Sequence, residues 1–157
     1  MIYKLINKTK ISDKTLKKLI EFGIPKGLQD IKIYVLYEKY KNSIFNGATI
    51  YKNKTVQICI TKKTITFPCF CYDKKLKFAG YHPTVDFKNK KELLVGLLSH
   101  ELRHLWQDGV SKQNFLNGRV ITWKHWDKKT YYSIYKSERD ACKYSKKMVL
   151  KYRKYNN

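Results

Sequence analysis

The stretch KKELLVGLLSHELRHLWQ, residues 90–107, decides how the rest of the chain is read. Leu94, Leu97, Leu98, Leu102 and Leu105 recur at helical spacing with no proline among them, which predicts a helix with one face in the core. Set into that apolar frame are His100, Glu101 and His104. Residues four apart on a helix stand one turn apart on the same side, so the two imidazoles can bite a single metal ion. A histidine and glutamate buried among leucines need partners to offset the loss of water, and a metal ion is one such partner.

Outward from this helix, residues 12–22 place Leu16, Leu19 and Ile20 behind a Ser or Asp cap, and Gly23 with Pro25 ends the run. Residues 31–37 and 55–60 are β-branched and aromatic, with residues 48–51 and a turn at Asn53-Lys54 between them. These runs look like an antiparallel sheet, within a fold class whose small sheet is antiparallel or mixed. Residues 61–87 contain Pro68, Gly80 and Pro83 without a clean period and read as a long loop with room for one extra strand. Loops of that length in compact domains are often functional. A turn-rich stretch, residues 108–127, leads into a final helix over residues 131–152, with Ile134, Ala141, Ser145 and Met148 on one side. With no repeat, low-complexity tract or linker, residues 1–157 read as a single α+β domain.

The length agrees: 157 residues and 18.8 kDa, 43% apolar, are one domain's worth of chain. No run approaches 18 apolar residues, which argues against a membrane span, and the N-terminus lacks an apolar signal core. A cytoplasmic protein is therefore expected. Cys59, Cys69, Cys71 and Cys142 are too few and too irregular for a disulfide framework and read as reduced core thiols; Cys69-Phe70-Cys71 lacks the second cysteine pair of a structural zinc site. Thirty-four Lys and Arg against twelve Asp and Glu leave a net charge of +22, which admits acidic partners, nucleic acid included. Arginine occurs only at positions 103, 119, 139 and 153, however, and a Lys-, Ile-, Asn- and Tyr-rich, Ala-poor chain reads in part as AT-rich coding. The lysine clusters are spread along the sequence, as for a generally solvated surface.

The chemistry follows from the helix. Zn²⁺ lowers the pKa of a bound water to about 7, and Glu101 stands where a carboxylate could take its proton; the reaction is metal-assisted hydrolysis, usually of a peptide bond. A catalytic zinc needs a third protein ligand, and His125, Asp127, Glu138 and Asp140 are the candidates. At about 100° per residue, Glu138 falls within roughly 50° of the centre of the last helix's apolar face and Asp140 about 110° away. Glu138 is preferred, with Asp140 and His125 open. Small residues at Ala141 and Ser145 would let that helix approach closely. Oxyanion donors could come from His82, His125, Tyr131, Tyr132 or Tyr135, whereas Trp106, Trp123 and Trp126 read as core or cleft walls.

The run His100 to Gln107, followed by Ser137-Glu138-Arg139-Asp140-Ala141-Cys142, resembles the zincin metallopeptidases, in particular small gluzincin-like phage proteins related to the ImmA/IrrE type. These pair HExxH with a later Glu-x-x-Ala-(Asn/Asp) helix. The resemblance covers roughly residues 90–150 and implies zinc on His100, His104 and Glu138, Glu101 as general base, and a zincin-like fold whose sheet edge flanks the cleft. It also implies a protein or peptide substrate and, together with the AT-rich composition, a phage or viral source; a monomer is expected. Cys142 departs from the pattern, standing where Asn or Asp would orient a ligating histidine. Asp140 or a backbone carbonyl would then have to serve. The alternatives are a basic nucleic-acid-binding protein and a DNA-associated protease similar to the SprT/Spartan type, for which a third histidine makes His125 the discriminating residue.

Overall fold

The computed structural model describes residues 2–37, 47–50, 53–60, 66–67, 85–109 and 128–156. In chain order the elements are β1 (Tyr3–Lys8), α1 (Asp13–Gly23), β2 (Ile31–Tyr37), β3 (Gly47–Ile50), β4 (Thr55–Ile60), β5 (Thr66–Phe67), β6 (Val85–Asp86), α2 (Lys90–Gly109) and α3 (Lys128–Asn156). This is a mixed α+β architecture. The main sheet has the order β1-β2-β4-β3, and β5 and β6 form a separate antiparallel pair with Thr66 opposite Asp86. The long segment therefore carries two short strands where one was expected, and its interior, residues 68–84, lies outside the described residues.

Strand direction is where the sequence misleads. Residues 31–37 and 55–60 do not pair antiparallel: β1, β2 and β4 run parallel, and only β3 is antiparallel to β4, with Gly47 opposite Ile58 and Ile50 opposite Thr55. Alternation of apolar and polar residues reports that one face is buried and is silent on direction. Direction is set by the connections, since α1 carries the chain back between β1 and β2. β1 itself, left unassigned from sequence, forms because its Tyr3, Leu5 and Asn7 stand in register with Ile31, Ile33 and Val35. Ile33 is matched in turn to Val56, and Val35 to Ile58, so the apolar rows line up across the sheet. All four of these residues are fully buried, whereas Lys32 on the opposite face is exposed.

The helices cover the buried face. Ser12 caps α1 by accepting from the Thr15 amide at 3.3 Å, and Leu16, Leu19 and Ile20 turn inward. Small residues meet at the helix seams, where a larger side chain would collide with its neighbours. A Cβ on Gly23 would lie 2.7 Å from Ser99 Oγ and 3.2 Å from its backbone nitrogen. On the next turn of α2, a Cβ on Gly96 would strike the Phe87 ring at 2.7 Å. Ser145 of α3 donates its hydroxyl to the Gly96 carbonyl at 2.8 Å, and Ala141 is fully buried. The close approach anticipated from Ala141 and Ser145 is thus the geometry found.

The start of α2 is fixed by side chains. Asn89 Oδ1 accepts from the amides of Lys91 and Glu92, each at 3.0 Å, and Glu92 reaches back to accept from the Lys88 amide at 2.8 Å. Glu92 also receives both Nε and a terminal nitrogen of Arg153, at 3.1 and 2.8 Å, which ties the first turn of α2 to the far end of α3. The Glu92 side chain is 4% exposed and that of Arg153 21%. The Arg153 hydrogen bonds hold the Glu92 carboxyl below its ordinary 4.5 against the opposing effect of burial, with the Lys88 amide and nearby positive charge adding to the depression. A depressed folded value means that this stabilisation is complete above the unfolded value near 4.5 and disappears as pH falls through the folded one. Glu92→Gln should lower stability at pH 7 by about 2–3 kcal/mol and flatten its decline below pH 4.5, measured by urea unfolding across pH.

Candidate metal centre

The middle of α2 is buried on almost every side, and His100, Glu101 and His104 are buried with it, at 5%, 9% and 6% exposure. One helical turn brings the two imidazoles edge to face, and their Nε2 atoms stand 3.1 Å apart. For two metal–nitrogen bonds of about 2.0–2.1 Å, that separation subtends roughly 100° at the metal, within reach of a tetrahedral site. The outer nitrogens are occupied by other groups. His104 Nδ1 lies 3.0 Å from Gln107 Oε1, and His100 Nδ1 lies 3.8 Å from Cys142 Sγ.

The hydrogen bonds behind His104 determine where its proton sits. Arg103 grips Asp140 with two nitrogens, Nε to Oδ2 at 2.7 Å and a terminal nitrogen to Oδ1 at 3.1 Å, and Gln107 Nε2 reaches the same Oδ2 at 2.8 Å. Burial pushes the Asp140 carboxyl up, but hydrogen bonds from Arg103 and Gln107, with the charge of Arg103, outweigh it and hold it below the usual carboxylate range. An ionised carboxylate only accepts, so the Gln107 amide must present its nitrogen to Asp140 and its oxygen to His104. His104 Nδ1 is then the donor, and its lone pair sits on Nε2. His100 Nδ1 meets Cys142 Sγ, which leaves its Nε2 turned toward His104. The two Nε2 atoms therefore face one another at 3.1 Å, a separation that one N–H and one lone pair can bridge and that two ligands of a single metal ion could also adopt.

Two imidazoles held by their outer nitrogens could supply two of the three or four protein ligands that a zinc ion takes. Among the described residues no group of three His, Cys, Asp or Glu side chains gathers as a metal cluster. Glu138 stands on α3, four residues before Cys142, with its side chain outside the described residues. Asp140 is turned toward Arg103 and Gln107, behind His104, and Cys142 meets the outer nitrogen of His100, so neither faces the point on which the two Nε2 atoms converge.

The other expected site residues distribute as follows. His82, His125, Asp127, Trp123 and Trp126 lie outside the described residues, as do the side chains of Tyr131, Tyr132 and Tyr135 on α3. Cys69 and Cys71 also lie outside them. Trp106, read as a core or cleft wall, is half-buried; its indole N–H donates to the Lys26 carbonyl at 3.1 Å, and the Arg103 guanidinium stacks 3.8 Å above its ring. The reading of reduced core thiols fails at Cys142, which is buried as expected but oxidised; the disulfide removes the cysteine argument for a reducing compartment. Gln107 and Arg103 were not singled out from sequence. The available signal was position, since Gln107 follows His104 by three residues and so shares its side of the helix.

Compared with protein-family models, curated proteins and solved structures, the chain matches none. Gln107→Leu removes the oxygen that fixes the His104 ring and should weaken Zn²⁺ binding by about 10–100-fold, read by competition with a chromophoric chelator, with helical content unchanged.

Proposed function

We propose that the protein is a zinc-dependent metallopeptidase with a zincin-like fold, in which His100, His104 and Glu138 hold the metal and Glu101 is the general base. The observation that carries this reading is the pair of imidazoles whose Nε2 atoms face each other at 3.1 Å while their outer nitrogens are held by Gln107 and Cys142. Zinc bound there supplies Lewis-acid polarisation of a carbonyl and of water. The remaining work belongs to the chain. Glu101 adjoins His100 on the same helix, and its carboxylate takes a proton from the attacking water and returns it to the departing amine. Its burial, at 9% exposure, limits the access of bulk water to that transfer.

The sheet supports the same reading. β3 is the end strand in the order β1-β2-β4-β3, and α2 packs against it, so an extended peptide pairing with that edge would run beside the histidine helix. Arg103 and Asp140 act as positioning residues, because they orient Gln107 and through it the His104 ring. No helix among the described residues is long and apolar enough to cross a membrane. The test is hydrolysis of a mixed peptide library and of denatured casein by zinc-loaded protein, wild type beside Glu101→Gln. The variant should keep its metal and lose at least about 10²-fold in rate. Cleavage by the variant at the wild-type rate would remove Glu101 from the mechanism, and chelator-resistant cleavage would remove the metal.

A further inference from the structure

The lysine clusters look scattered in sequence, yet the last helix gathers one set of them on a single face. Lys143, Lys146, Lys147, Leu150, Lys151 and Lys154 line a shallow groove of about 500 Å³ on the outer side of α3. At about 100° per residue these six positions fall within roughly 140° of arc. They lie opposite the face that buries Ala141, Ser145, Met148, Val149 and Tyr152. Every one of the six is exposed, and no acidic residue occurs between positions 143 and 156. Among the described residues no carboxylate forms an ion pair with Lys146, Lys147, Lys151 or Lys154. The one arginine in this stretch, Arg153, is turned inward to Glu92. Lys18 of α1 extends the positive surface at its C-terminal end, standing 5.6 Å over the Tyr155 ring.

We propose that this face of α3 docks the phosphate backbone of duplex nucleic acid, independently of base sequence. The eleven steps from Lys143 to Lys154 rise about 16 Å along a rigid rod. A duplex offers one phosphate charge per about 1.7 Å of its axis, so a stretch of that length presents on the order of ten charges to five ammonium groups. Lysine suits such contact, since it meets phosphate as a point charge on a flexible stem and needs no fixed approach. A membrane surface is the weaker match. An interfacial helix needs an apolar face to insert, and the apolar face of α3 is spent on the core, leaving Leu150 at 43% exposure in its lysine stripe.

The experiment measures binding of a fluorescent 20-base-pair duplex by anisotropy between 50 and 200 mM salt, using the full chain. Lys146→Gln, Lys147→Gln, Lys151→Gln and Lys154→Gln are combined in one variant. A second combines Lys4→Gln, Lys8→Gln, Lys10→Gln and Lys32→Gln, exposed residues of the sheet side with the same total charge. Glutamine is a good helix former, and thermal melts confirm that both variants fold. Wild type should show log K falling with log salt at a slope of about −4, roughly a 10²-fold loss over this range. The α3 variant should lose at least about tenfold in affinity at 50 mM and flatten the slope by about 3 to 4, whereas the sheet variant should change little. Equal losses in both variants would assign binding to net charge and overturn the proposal. So would α3-dependent binding to phosphatidylserine vesicles with none to the duplex. Glu101→Gln should bind the duplex as wild type does, so failure here and failure of the peptidase reading are separate results.

Discussion

Ser145 donates its hydroxyl to the carbonyl of Gly96 across 2.8 Å, and the rest of the site depends on that contact. A side chain larger than serine at position 145 would hold α3 away from α2 there, and a Cβ on Gly96, though only 3.4 Å from Ser145 Oγ, would collide with the Phe87 ring at 2.7 Å. With the axes drawn together there, the next residues up α3, Ala141 and Asp140, fall against the turn of α2 that bears Arg103, His104 and Gln107. Cys142 falls against His100. Gly23 and Ser99 do the same for α1 on another side of α2. A polar centre is thus built inside an apolar helix layer because three helices approach at glycine and serine.

The charge of the chain divides by residue type. Both arginines whose side chains are described make forked contacts to carboxylates across the α2–α3 seam, Arg103 to Asp140 and Arg153 to Glu92. A planar guanidinium satisfies both oxygens of a carboxylate at once, which matters where few water molecules can complete the shell. Lysines occupy the exposed positions, and on α3 they take the outer face almost without exception. Arginine therefore fastens the fold around the histidines, and lysine sets the field that an approaching partner meets. The first arrangement underlies the proposed chemistry and the second the proposed docking.

Several of these features were legible in the sequence for physical reasons. The leucines of residues 94–105 are periodic over three turns, and HExxH states its own geometry because a helix has only one way to place residues four apart. Ala141 and Ser145 announced a close helix contact by their size. The direction of β2 and β4 was not legible, because alternation is identical in parallel and antiparallel strands of a one-sided sheet. β1 was missed because YKLINK, with its two aliphatic residues adjacent and polar residues on both sides, carries little signal until a partner strand supplies the register. The Arg103–Asp140–Gln107 support of His104 joins residues 33 and 37 positions apart, so it exists only once the seam has formed. The oxidation of Cys142 likewise had no local sign.

The central claim is that His100 and His104 hold a metal ion completed by a carboxylate from α3. Elemental analysis of the purified protein, wild type beside His104→Ala and Glu138→Ala, tests it most directly. The account predicts about one zinc per chain in wild type and its loss in both variants. Wild-type protein that carries no zinc and takes none up when it is offered would contradict the account.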